Sequence, residues 1–77
     1  MLTSKEIRDF RRKMGQRIRH LQSVLFELDR MPDEVSIRNA IREVHLEIMW
    51  ARVQVDVCAD MLKARRLANR AWSSVAD

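Results

Sequence analysis

Any chemistry in this chain starts with its cations. Lys5, Arg8, Arg11, Arg12, Lys13, Arg17 and Arg19 crowd the first segment, and Lys63, Arg65, Arg66 and Arg70 return near the other end. Guanidinium and ammonium groups at this density can hold phosphate oxygens, which makes Arg8, Arg11, Arg12, Arg19, Lys63, Arg66 and Arg70 candidates for a nucleic-acid surface. The alternative is a solvated helix face, the ordinary fate of a charge run. The chain has no Tyr, and Phe10 falls within an apolar stripe, so single-strand bases would find no stacking platform.

Other reactive side chains are sparse. His20 and His45 could begin a metal site, with Glu43 or Glu47 adding oxygen. Cys58, however, lies about thirteen residues, or roughly 20 Å, along a helix from His45. Imidazoles flanking a core are the plainer reading, and no metal is expected. Cys58 sits between Val55 and Leu62 in the apolar pattern and reads as a small buried hydrophobe rather than a nucleophile. Ser73 and Ser74 fall in a fraying tail with no base nearby. No carboxylate pair sits on an apolar pocket and no Gly-rich phosphate loop is present. Two helices also form no enzyme-sized cavity, so a non-enzymatic protein without cofactor or small-molecule substrate is expected.

The elements that carry these residues follow from periodicity. Thr3-Ser4-Lys5-Glu6 is a capping-box pattern. From there Ile7, Phe10, Met14, Ile18, Leu21, Val24, Leu25, Leu28 and Met31 recur at helical spacing and form one stripe. Gly15 interrupts it at a cost of roughly 1 kcal/mol relative to Ala, and marks where the helix would kink or break. Met31-Pro32-Asp33-Glu34 is the strong punctuation. Proline suits a first helical position and acids suit the first turn, which places the turn at about residues 30–34. The expected fold is all-α: a two-helix antiparallel hairpin over about 4–30 and 33–72.

The second helix carries a heptad seam: Ile37, Ile41, Val44, Ile48, Ala51, Val55, Cys58, Leu62, then Arg65, Asn69 and Trp72. Pairing residues whose numbers sum to about 65 sets Leu28 beside Ile37, Leu21 beside Val44 and Phe10 beside Val55. His20 and His45 become neighbours, and residues past about 62 overhang. A further stripe, Leu46, Trp50, Val53 and Val57, points almost opposite to that seam, with Met49 and Met61 flanking it and Ala64 and Ala71 extending it. A lone hairpin cannot cover it, and contiguous apolar patches of this kind usually mark interaction sites. Leu46, Met49, Trp50, Val53, Val57 and Met61 are therefore the candidate protein interface, with Trp50 as anchor.

Composition bounds the rest. The chain has 77 residues, 47% hydrophobic and 34% charged, with one Gly and one Pro. That argues against disorder, turn-rich β folds and Gly-dependent nucleotide folds. So short a chain buries little surface alone, and a single cysteine allows no internal disulfide to help. The expected remedy is a homodimer closing a four-helix bundle, or docking on a larger protein. Net charge is +4, arranged as a basic tip where the first and last segments meet and an acidic tip of Glu27, Asp29, Asp33 and Glu34 at the turn. The lone cysteine fits a reducing cytoplasm. The opening residues have no signal-peptide core, and the longest apolar run, Ile48-Met49-Trp50-Ala51, is far too short to span a membrane. No stable membrane insertion is expected.

Three likenesses bear on function. Ile7-Arg8-Asp9-Phe10-Arg11-Arg12-Lys13-Met14-Gly15 is similar to the first helix of phage-repressor helix-turn-helix domains. The following Gln16-Arg17-Ile18-Arg19-His20-Leu21 supplies no turn and no recognition helix, so that fold is not expected. In outline the hairpin resembles Rop, the plasmid-encoded dimeric four-helix bundle that binds paired RNA. It also resembles, in length and turn placement, the small hairpin subunits and chaperones of type III secretion. Both likenesses are architectural and carry no residue roles. The leading expectation is a helical protein–protein interaction module, a small regulator, inhibitor or adapter of the kind phages and plasmids encode. The alternatives are a Rop-like nucleic-acid-binding regulator and a secretion subunit.

Overall fold

The computed structural model describes residues 2–76, with side-chain surroundings described over 2–72. Thr3 opens the first helix. Its hydroxyl accepts from the Glu6 amide at 3.1 Å, while the Glu6 carboxylate accepts from the Thr3 amide at 3.3 Å. The capping box read from the sequence is therefore formed, and it satisfies amides that the helix itself cannot. Helix α1 spans Ser4–Asp29 and passes through Gly15 without a break. Gly15 has an ordinary helical φ, so nothing in the backbone requires glycine there.

The reversal falls where expected, but Pro32 does not start the second helix. Helix α2 spans Val35–Ala76, two residues later than expected at its start and four residues longer at its end. The Glu34 carbonyl accepts the first α2 bond, from the Arg38 amide at 2.9 Å. Asp33 and Glu34 thus precede the helix, and no acid lies in its first turn. The Asp33 carboxylate instead takes the Arg38 guanidinium at 3.2 Å. Because α2 is helical through Ala76, Ser73 and Ser74 lie on helical backbone rather than in a fraying tail; their side chains lie outside the described residues.

The two helices pack as the expected all-α hairpin, 66 × 19 × 15 Å. The long dimension matches 42 residues at 1.5 Å each, about 63 Å. The seam holds over most of its length. Ile7 and Leu21 of α1 and Ile48, Ala51 and Cys58 of α2 are buried, and Ile37, Ile41, Val44, Val55 and Leu62 are half-buried beside them. Cys58 is a free thiol inside this core, in the small-hydrophobe position expected of it.

The ends of the seam are corrected. Asn69 and Trp72 are exposed, because α1 has no residues left to cover them. Met31 and Phe10, both assigned to the α1 core stripe, are 47% and 43% exposed. Overhang does not begin at residue 62 either. Arg65 donates to the Ser4 hydroxyl at 3.3 Å and to the Leu2 carbonyl, which ties α2 to the start of α1 one turn further along.

So thin a molecule buries little. Its accessible surface is 6547 Å², against about 4,900 Å² for an average compact protein of 9.2 kDa. Its radius of gyration is 18.4 Å, against about 11.5 Å for a globule of the same length.

Candidate functional site

Residues on an α-helix advance about 100° per position, so a seam two helices share leaves each helix with two flanks. The side chains on those flanks differ sharply. One flank is apolar and the other is basic.

The apolar flank is built from both helices. Trp50, Val53, Val57, Cys58 and Met61 of α2 face Leu2, Ile7 and Phe10 across a groove of about 330 Å³. A second hollow of about 430 Å³ continues past Trp50, lined by Met14, Arg17, Leu46, Glu47 and Ala51. Trp50 and Gln54 belong to both hollows. Trp50 therefore stands as a partition between them, with 65% of its surface bare. All six residues nominated from the sequence, Leu46, Met49, Trp50, Val53, Val57 and Met61, are exposed. Leu46, Trp50, Val53, Val57 and Met61 line hollows shared with α1, where Phe10 completes the groove, while Met49 lines neither.

Phe10 and Leu2 were missed as members of this surface. Leu2 precedes the Thr3 cap and Ile7 lies four positions into the helix, which is the spacing of a hydrophobic staple. That signal was available. Phe10 lies at the edge of the α1 stripe, and only the rotation of α1 against α2 places it outside the core. The six nominated residues are between 36% and 65% exposed, a bare apolar surface of the kind that marks interaction sites.

The basic flank gathers the other nominated residues. Arg8, Arg11, Arg12 and Arg19 line one hollow with Gly15 and Val55. Arg8 and Arg11 continue into a larger one of about 600 Å³ shared with Lys63, Arg65 and Arg66. Lys63 and Arg66 in turn adjoin Arg70. The cations are thus not confined to a tip but form a strip along the hairpin. Asp60 is the one carboxylate in these linings. Asp9 meets Arg12 at 3.5 Å with both side chains largely in water, a pair of little energetic weight. Arg17 departs from the basic group and lies beside Glu47 at 3.5 Å on the apolar side.

The acidic end lies at the turn as expected, with Arg30 held 5.7 Å above the Phe26 ring. His20 and His45 are both exposed. No group of three or more His, Cys, Asp or Glu side chains is drawn together among the described residues. No helix among them is long and apolar enough to cross a membrane.

Fold and surfaces together define a two-helix hairpin with one greasy flank and one cationic flank. No protein-family model matches the sequence, and neither the curated proteins nor the solved structures contain a match.

Proposed function

We propose that the chain is a non-enzymatic helical interaction module, a small regulator or adapter, whose apolar flank takes a second copy of the same hairpin to complete a four-helix bundle. The observation that carries this reading is Trp50, 65% exposed between two apolar hollows. Burying an exposed side chain of this class is worth about 1.5–3 kcal/mol. The stripe, joined by Phe10 and Leu2, which are 43% and 54% exposed, supplies the apolar centre of an interface, of which a standard one buries ~800 Å² on each partner.

Charge favours a second copy set antiparallel. The turn end carries Glu27, Asp29, Asp33 and Glu34, and the opposite end carries Lys63, Arg65, Arg66 and Arg70. A two-fold axis near Val53 brings unlike ends together, whereas a parallel pair stacks like on like.

Light scattering on the purified chain across a concentration series tests the proposal. The expected mass is that of two chains, falling to one in Trp50→Ala while helical content is kept. A single-chain mass at every concentration would sink the dimer.

A further inference from the structure

We infer that the basic flank binds the phosphate backbone of double-stranded nucleic acid. This goes beyond the apolar interface and rests on separate residues. Arg8 and Arg11 are common to two adjoining hollows, and Lys63 and Arg66 to a second adjoining pair. The strip therefore runs unbroken from Arg19 to Arg70. Helical rise gives it a length of roughly 35 Å, close to one turn of duplex.

Length and composition select the ligand class. A free phosphate or mononucleotide would engage two or three of these cations and leave the rest idle. A polymer with a charge every few ångströms engages all of them. Of the exposed aromatics, Trp50 and Phe10 line the apolar groove, Phe26 pairs with Arg30, and Trp72 alone lies by the strip, two residues past its Arg70 end. One aromatic at one end cannot stack successive bases, and none lines the hollows from Arg19 to Lys63, so the recognised feature is backbone phosphate of a paired helix rather than unpaired bases. An anionic membrane needs apolar side chains beside the cations on one face. Here Leu67 is the one large exposed aliphatic among the cations, while Val53, Val57 and Met61 lie in the groove with Phe10, across the seam from Arg8, Arg11 and Arg12.

Like charges gathered on one surface also repel. Arg8 and Arg12 are four apart on α1, as are Arg66 and Arg70 on α2, a spacing that destabilises a helix when both residues carry the same sign. Apart from Arg12 with Asp9, none of the seven has an ion-pair partner among the described residues. A bound polyanion removes that repulsion.

Fluorescence anisotropy with labelled duplexes of about 20 base pairs, long enough to cover the strip, tests the inference. DNA duplex, RNA duplex, single strands of the same length and phosphatidylserine-containing vesicles are titrated with the full chain at several salt concentrations. Duplex affinity is expected to fall by about 10³-fold between roughly 50 and 200 mM salt, as for some six phosphate contacts. The Arg11→Gln/Arg66→Gln variant is expected to weaken binding on every duplex sequence and to lower the salt slope by about two. Both side chains are exposed, so unchanged circular dichroism is expected for the variant. The relative affinities of the DNA and RNA duplexes identify which carries the shared phosphate chemistry. Absence of duplex binding at low salt, tighter binding to single strands or vesicles, or an unweakened double variant would each overturn the inference. None of these outcomes bears on the two-chain mass, so the dimer stands or falls separately.

Discussion

Arg65 of α2 donates to the Ser4 hydroxyl at the start of α1, 3.3 Å away, and to the Leu2 carbonyl two residues before it. This places a cation on a seam that is otherwise apolar. The long stem packs along the core line while the guanidinium satisfies groups at the α1 N-terminus. It closes the open end of the hairpin with hydrogen bonds where no large hydrophobe remains.

Arg65→Ala is expected to loosen the first turn of α1. The loss is on the order of 1 kcal/mol, the usual worth of a net hydrogen bond or two. Amide exchange at Ile7 and Arg8 should quicken while exchange near Leu28 and Ile37 stays as it was. Uniform acceleration along the chain would show that Arg65 supports the whole hairpin.

Thr3→Ala removes half of the capping box. A destabilisation of about 1 kcal/mol is expected in thermal or urea unfolding, and Thr3→Ser should restore most of it. The Glu6 carboxylate reaches the Thr3 amide in either variant, so the loss should not double.

Gly15→Ala should stabilise the chain. An added Cβ meets nothing within 4 Å, the φ is ordinary, and Ala is favoured over Gly inside a helix by about 1 kcal/mol. For a chain of this size, that corresponds to a rise of about 4–8 °C in melting temperature at fixed protein concentration. A fall would show that the glycine serves a close approach absent from the free hairpin.

Ile48→Val and Val53→Ala separate core from surface. Ile48 is 5% exposed and Val53 51%. Ile48→Val should lower stability by about 1 kcal/mol at any protein concentration. Val53→Ala should act mainly by weakening association, seen as a lower unfolding midpoint that depends less on protein concentration.

Arg17→Ala breaks the one ion pair that crosses between the helices among the described residues. Both side chains are about half exposed, so less than about 1 kcal/mol is at stake. That small effect should vanish as salt rises.

Local signals were legible because they depend only on neighbours in sequence. Thr3 and Glu6 announced a cap, Pro32 announced a reversal, and spacings of three and four announced helices. The early placement of α2 at residue 33 failed for a local reason as well: Asp33 is engaged with the Arg38 side chain, and the backbone turns helical only after Glu34. The bare stripe around Trp50 was legible because no other segment of so short a chain was left to cover it.

Arg17 and Arg19 show where such reading stops. They are two positions apart, so the helix throws them about 200° from each other, and they land on opposite flanks of the hairpin. Periodicity fixes that separation but not which residue meets which flank. Two helices, their antiparallel pairing and an uncovered apolar face were determined by the sequence alone. The membership of Phe10 in the groove, the joining of Arg8 and Arg11 to Lys63 and Arg66, and the reach of Arg65 to Ser4 were decided only by tertiary structure. Each depends on the rotation of one helix about its axis against the other, and that angle is set by the packing of Ile7 and Leu21 on Ile48, Ala51 and Cys58 rather than by any residue's neighbours in the chain.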